Sequence, residues 1–222
     1  MVTIVEPLRI LIADDHELFR HGVRALLQLH PGWEICGEAS TGREAVAKAQ
    51  ELIPDIVILD ISMPDLNGAD AARRIRAASK STEILIMSMH YSDQLIREII
   101  DGGALGYILK SDSDHDLVVA IEALARHKPF FTSQASELIQ NGLNTGNRVT
   151  EIPELLGNRL TSREREILQL LAEGKSSKEV SVSLDISMKT DETHRANIMR
   201  KLNTHSTSEL VRYALRNQII EP

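Results

Sequence analysis

The chain divides into an α/β part built on a five-stranded parallel, doubly wound sheet and a small all-α part of four helices. Three observations lead there. Up to about residue 128, short apolar runs alternate with amphipathic stretches, the pattern of strands joined by right-handed helical crossovers with helices on both faces. Pro129, Gly142, Gly146, Pro153 and Gly157 then punctuate residues 129 to 158, which read as a linker. From 159 to 222 the apolar residues recur at helical spacing between capping signals.

In order, LRILIA (8 to 13) is a strand ending on Asp14 and Asp15. A helix follows to about Leu29, with Leu18, Phe19, Val23, Leu26 and Leu27 as its apolar side. WEICGEA is a second strand, and REAVAKAQEL a helix stopped before Pro54. Ile56 to Leu59 is a third strand, buried on both faces, and Asp60 ends it. A helix from Gly68, a strand EILIMSM, a helix from Asp93, a short strand YILK and a helix capped by Asp112 or Ser113 complete the part.

Composition bounds the function. The chain has 222 residues and a formal net charge of −7. From residue 159 onward 11 Lys and Arg face 9 Asp and Glu, so a mildly basic tail follows an acidic body, a weak pointer to nucleic acid. No apolar run approaches the roughly 20 residues that span a bilayer, and the N-terminus lacks the pattern of a secretory signal. Cys36 is the only cysteine, so no intrachain disulfide forms; its apolar run makes it a strand residue rather than a nucleophile. These features point to the cytoplasm, with no membrane partner.

In a parallel sheet all strand C-termini share one rim. That rim would carry Asp14 and Asp15, Asp60, Ser88 and Lys110. Asp60 alone could be a turn residue bonding its own backbone; the company it keeps favours a reactive carboxylate. Clustered carboxylates want a hard cation such as Mg²⁺, to which the Ser62 carbonyl could add a neutral ligand. An Asp beside a divalent ion and a Lys can attack an activated phosphoryl group. The alternative, a structural salt-bridge cluster, costs desolvation without evident gain.

Residues 8 to 127 resemble a response-regulator receiver domain. The acidic pair, the D-x-x-M-P-x-x-x-G turn from Asp60 to Gly68, Ser88, Tyr107 and Lys110 match it in order and spacing. The resemblance implies sheet order 2-1-3-4-5 and phosphorylation of Asp60 by a sensor histidine kinase. It implies Mg²⁺ held by Asp15, Asp60 and the Ser62 carbonyl, with Asp14 assisting through water. Ser88 and Lys110 would hold the phosphoryl group, and Tyr107 would move with Ser88 as the switch. Ser111 stands where many receivers have proline. Ser62 and His90 occupy positions that tune phosphoryl lifetime; neither carries a carboxamide to position water, which predicts a moderately long-lived phosphoryl state.

In the tail, Thr161 and Glu164 form a capping box for a helix over 160 to 174, with Gly174 as its stop. SKEVSVSL, a tight turn at Asp185-Ile186-Ser187, a helix capped by Ser187 and a last one capped by Ser206 fit a helix-turn-helix. Residues 159 to about 218 resemble a LuxR/FixJ/NarL-type DNA-binding domain. On a wheel, Asp191, Ile198 and Leu202 of the third helix face the core; Thr193, Ala196, Asn197 and Arg200 face out, flanked by Thr190, Glu192 and Lys201. Thr193 and Asn197 are expected at bases, with Lys189, Arg200 and Lys201 at phosphates and Thr190 beside them. Asp191, Ser181 and Thr204 are polar where the family has apolar residues. A helix N-terminus and Arg195, four residues on, would soften the cost of Asp191.

The resulting expectation is a transcription regulator that binds double-stranded DNA, dimerising when Asp60 is phosphorylated. The alternative is a phospho-switched protein-interaction module whose destabilised tail no longer binds DNA. A phosphatase is disfavoured, because Asp60 has no acid two residues on. The chain is therefore expected not to be an enzyme beyond slow loss of its own phosphoryl group.

Overall fold

Side-chain alternation along the strands splits the core of the first part in two. The computed structural model describes residues 6–89, 91, 93–112, 114–132, 135–136, 160–217 and 219–220, and the chain falls into two units, 1–138 and 139–222. In the first, β1 (Leu8–Ala13), β2 (Trp33–Ala39), β3 (Ile56–Asp60), β4 (Glu83–Ser88), β5 (Gly106–Leu109) and β6 (Phe130–Phe131) form one sheet. Its order is β2-β1-β3-β4-β5-β6, and every pairing is parallel. The crossovers are α1 (Glu17–Gln28), α2 (Gly42–Leu52), α3 (Gly68–Ala78), α4 (Asp93–Asp101) and α5 (Asp114–Leu124).

Leu11, Val57, Leu59, Ile84, Ile86 and Tyr107 pack on one face with Ala45 and Ala49 of α2, Ile75 of α3 and Ile96 and Ile99 of α4. Ile10, Ile12, Ile56, Ile58, Leu85, Met87 and Ile108 pack on the other with Val23 and Leu27 of α1 and Leu117, Ile121 and Leu124 of α5. β3 and β4 are buried at every residue, so they read as near-continuous apolar runs.

Two expectations need correction, the number of strands and the place of Leu18. The sheet has a sixth strand: Phe130 and Phe131 pair with Gly106 and Tyr107, and Ala135 lies in the core, so the sheet takes in residues assigned to the linker. Residues 133–134 and 137–158 of that linker are outside the described residues. Leu18 is 85 % exposed, because it sits about 100° around the helix from Phe19, which packs with Val23, Leu26 and Leu27. Asp112 accepts the backbone N–H of Leu109 (2.7 Å); Ser113 lies outside the described residues. Cys36 is a free, partly buried strand residue, and burial pushes its thiol pKa up.

The loop after β3 is fixed by close packing. Gly68 donates its N–H to the Ile61 carbonyl (2.8 Å), and a Cβ there would lie 2.1 Å from the Asp60 carbonyl oxygen. Asn67 caps α3 by accepting the Asp70 N–H (2.9 Å). At the loop's far side, a Cβ on Gly42 would lie 1.8 Å from the Leu66 carbonyl oxygen.

The second unit consists of α6 (Ser162–Ala172), α7 (Ser177–Leu184), α8 (Met188–Leu202) and α9 (Thr207–Arg216). Thr161 with Glu164 and Ser176 with Glu179 form capping boxes, and Ser187 and Ser206 cap α8 and α9. Ile167, Leu168, Leu170, Val180, Ile198, Leu210 and Ala214 make the core. Asp185, at φ 50°, turns the chain between α7 and α8. Among the described residues no helix is long and apolar enough to cross a membrane.

Replacing Gly68 with Ala should cost about 3 kcal/mol or more, the range of a core clash that only backbone movement relieves. Urea unfolding of the first unit should show the loss; an unchanged midpoint would mean that the loop yields freely.

Candidate functional site

The rim of the sheet gathers the groups that the strand ends foreshadow. Asp14 follows β1 and Asp60 ends β3, and both are buried, at 2 % and 1 % exposure. Lys110, just past β5, points its Nζ at Asp14 Oδ2 (2.7 Å) and Asp60 Oδ2 (3.0 Å). Its backbone N–H donates to the Ser88 carbonyl (2.7 Å), which ties the lysine to the end of β4. The Phe19 ring lies 4.8 Å from the ammonium, an apolar and cation–π floor that motif spacing does not reveal. Ser88 is buried at the end of β4 and shares a side-chain hydrogen bond with Tyr107. Burial pushes the Tyr107 pKa up to about 12, with the Ser88 bond pulling it down and Asp112 adding to the rise.

The charges do not cancel. Burial first, then repulsion from Asp14, push Asp60 up to about 6, against the pull of Lys110 and with Asp15 adding to the rise. Burial works to lower the Lys110 pKa, but Asp60 and Asp14 hold the ammonium above its ordinary value. Asp14, Asp15, Asp60 and His16 each offer a donor atom, all within 4.8 Å of one another. Asp60 Oδ1 is buried and accepts no hydrogen bond. An oxygen-rich cluster with excess negative charge and an unsatisfied carboxylate oxygen fits a divalent cation. His16 is the member that sequence reasoning missed. Ser62 is half-buried two residues beyond Asp60, on the loop closed by Gly68. His90 lies outside the described residues.

In the second unit, α8 exposes Lys189, Thr190, Glu192, Thr193, Ala196 and Arg200, while Asn197 is half-buried. Asn197 accepts a long hydrogen bond from Arg200 (3.5 Å). Lys201 is instead committed to Glu164 of α6 (2.7 Å); capping and this lysine lower the Glu164 pKa against the effect of burial. Arg163 pairs with the fully buried Glu166 (3.0 Å) and donates to the Leu184 carbonyl (2.6 Å). Neither anchor was evident from periodicity.

Asp191 is fully buried and neither carboxylate oxygen has a hydrogen-bond partner. The expected partner, Arg195, donates to Ser177 of α7 instead (2.8 Å). Ser181 is satisfied by donating to the Ser177 carbonyl (2.7 Å), but Thr204 Oγ1 is buried without a partner.

A parallel sheet with an acid–lysine rim, followed by a four-helix unit with an exposed α8, defines a two-part regulatory protein. Residues 10–122 match the response regulator receiver domain, and residues 158–214 match the luxR family of bacterial regulatory proteins. The transcriptional regulatory protein LiaR of Bacillus subtilis is 34 % identical over 96 % of this chain and 99 % of its own length. MctR of Rhizobium johnstonii, also a transcriptional regulatory protein, is 35 % identical over 96 % of this chain and 95 % of its own. The structure of RcsB from Salmonella enterica serovar Typhimurium, bound to promoter rprA in the presence of the phosphomimetic BeF₃⁻, superposes with a TM-score of 0.63. It is 26 % identical and covers 93 % of this chain and 98 % of that one. The chain belongs to the NarL/FixJ-type response regulators, which join a receiver domain to a luxR-type DNA-binding domain.

Two outcomes follow from the buried acids. An Asp titrating near 6 when folded, against 3.8 unfolded, favours the folded state fully below the lower value and loses that contribution as pH rises through the upper one. In chelator-treated protein at pH 7.5, Asp60→Asn should therefore raise unfolding free energy by about 2–3 kcal/mol, a gain that fades toward pH 4; a pH-independent difference in urea unfolding would contradict this. Asp191→Val should raise the second unit's stability by about 2 kcal/mol and its melting temperature by roughly 8 °C or more. An unmoved melting transition would show that Asp191 carries no penalty.

Proposed function

We propose that this response regulator is a phosphorylation-dependent DNA-binding transcription factor, with Asp60 accepting a phosphoryl group from a sensor histidine kinase. The observation that carries the reading is Lys110, whose single ammonium lies within ion-pair distance of both Asp14 and Asp60 at a buried rim. Asp15, Asp60 and the Ser62 carbonyl would hold Mg²⁺, with Asp14 assisting through water. The ion supplies positive charge against the equatorial oxygens of the phosphoryl group.

The protein's own groups do the rest. An Asp60 carboxylate oxygen attacks phosphorus while the kinase's histidine nitrogen leaves. The Lys110 ammonium and the Ser88 hydroxyl then hold the phosphoryl oxygens. Ser88 already bonds Tyr107, so drawing Ser88 toward the phosphoryl group shifts the partner of a buried aromatic on β5. That shift would change the α4 and β5 surface and favour a homodimer reading paired half-sites. Thr193 and Asn197 of α8 would face bases, and Lys189 and Arg200 phosphates, with Thr190 alongside. Lys201 is left out, because Glu164 holds it. RcsB dimers bound to two parallel DNAs, in a structure 25 % identical to this chain with a TM-score of 0.56, are the precedent for dimeric binding. A receiver coupled to a DNA-binding unit needs no catalytic turnover of its own.

The second reading, a phospho-switched protein-interaction module, is favoured by one observation: Asp191 leaves an unpaired acid beneath the helix that would bind DNA. Salt dependence separates the two. Phosphodonor-treated protein should bind promoter DNA with affinity falling steeply in salt, and Lys189→Ala and Arg200→Ala should each reduce the log–log slope by about one. Asp60→Asn should remove the response to phosphodonor. Failure to bind DNA in any phosphorylation state would favour the interaction module. Phospho-Asp60 should persist for minutes or longer once the donor is removed, since no carboxamide at residue 62 positions water; a half-life of a few seconds would overturn that expectation.

A further inference from the structure

The acidic pocket contains one donor that phosphoryl transfer does not use. His16 is the N-cap residue of α1, yet its side chain makes no capping hydrogen bond. Its Nδ1 lies 2.9 Å from Asp15 Oδ1 and 3.3 Å from Asp14 Oδ1, and its backbone N–H donates to the same Asp14 oxygen (2.8 Å). That backbone bond holds the imidazole over the two acids. Lys110 takes Oδ2 of Asp14 and Oδ2 of Asp60, so the buried Oδ1 of Asp60 is left with no hydrogen bond. Ligands about 2.1–2.3 Å from one ion lie at most about 4.5 Å apart. The four donors of Asp14, Asp15, His16 and Asp60 lie within 4.8 Å, close to that limit without rearrangement.

We infer that His16 is a nitrogen ligand that turns this pocket into a site preferring a first-row transition-metal dication, such as Mn²⁺, Co²⁺ or Ni²⁺, over Mg²⁺. This deepens the proposed function and rests on the same pocket being a divalent-metal site. Mg²⁺ is a hard ion that keeps oxygen ligands and waters. Imidazole adds little for it, but suits the later dications, whose affinities rise from Mn²⁺ to Ni²⁺ at a mixed nitrogen and oxygen site. A purely structural role for His16 would be an ion pair with the acids. Its side chain is half exposed (54 %), so solvent screens that pair to a small contribution, which would not account for an imidazole aimed at the cluster that already has an unsatisfied oxygen.

The test uses the full chain with Mn²⁺ and Ni²⁺ as probes. Electron spin-echo spectra of bound Mn²⁺ should show coupling to an imidazole ¹⁴N that disappears in His16→Ala. Calorimetric titrations should show the ratio of Ni²⁺ to Mg²⁺ affinity falling at least tenfold in the same variant. His16 is on the surface, and a thermal melt in chelator checks that the variant stays folded. Asp60→Asn separates the two levels of the argument. If it abolishes Mn²⁺ binding while wild type shows no nitrogen coupling, or while His16→Ala keeps the affinity ratio within twofold, the pocket stands and the role of His16 is overturned. Coupling that survives His16→Ala also overturns that role, since the chain has 8 histidines. If Asp60→Asn binds Mn²⁺ as tightly as wild type, the pocket is not the metal site and both readings fall.

Discussion

Lys110 places one ammonium 2.7 Å from Asp14 and 3.0 Å from Asp60, with all three side chains almost fully buried. Removing the ammonium from such a group would cost about 3–5 kcal/mol, because two carboxylates would be left in a poor solvent without a partner. The fold must therefore supply three strand ends in register before the charges can coexist. The β3–β4 and β4–β5 pairings and the Lys110 N–H to Ser88 bond provide that frame. Even so, two acids against one base leave the site negative, which is why Asp60 sits at about 6. The receiver is built in a state that addition of positive charge relieves.

The second unit shows what happens when a buried charge lacks such a frame. Glu166, fully buried on α6, has Arg163 one helical turn back. Glu164 has Thr161 and Lys201. Asp191 has neither, because Arg195 reaches across to α7 and Ser177. The same helix that offers Lys189, Thr193 and Arg200 to solvent thus rests on an uncompensated carboxylate. The strength of its packing and the surface it presents are set by the same few residues.

Much of the rim was legible because parallel topology converts sequence position into spatial position. Once Ile56 to Leu59 and the other apolar runs are strands, the residues that end them must meet. The same logic is blind to contacts made from the side. Phe19 is the second helical residue after Glu17, and nothing in its spacing says that it floors Lys110. His16 looks like an ordinary residue before a helix until the backbone N–H to Asp14 bond turns it inward. Phe130-Phe131 follows Pro129 and is two residues long, too short to show a strand period, so it reads as linker. In the helical unit, the wheel sorted α8 correctly into faces, but it could not say that Lys201 and Arg195 would reach partners on neighbouring helices.

Phe130 and Phe131 carry a consequence for how the receiver can be isolated. Their pairing with Gly106 and Tyr107 covers the outer edge of β5. A fragment ending at residue 128 would leave that edge open, with its N–H and C=O groups bare beside an apolar core. Open edges recruit strands from other molecules. Such a fragment would be prone to self-association through β5 whatever the state of Asp60.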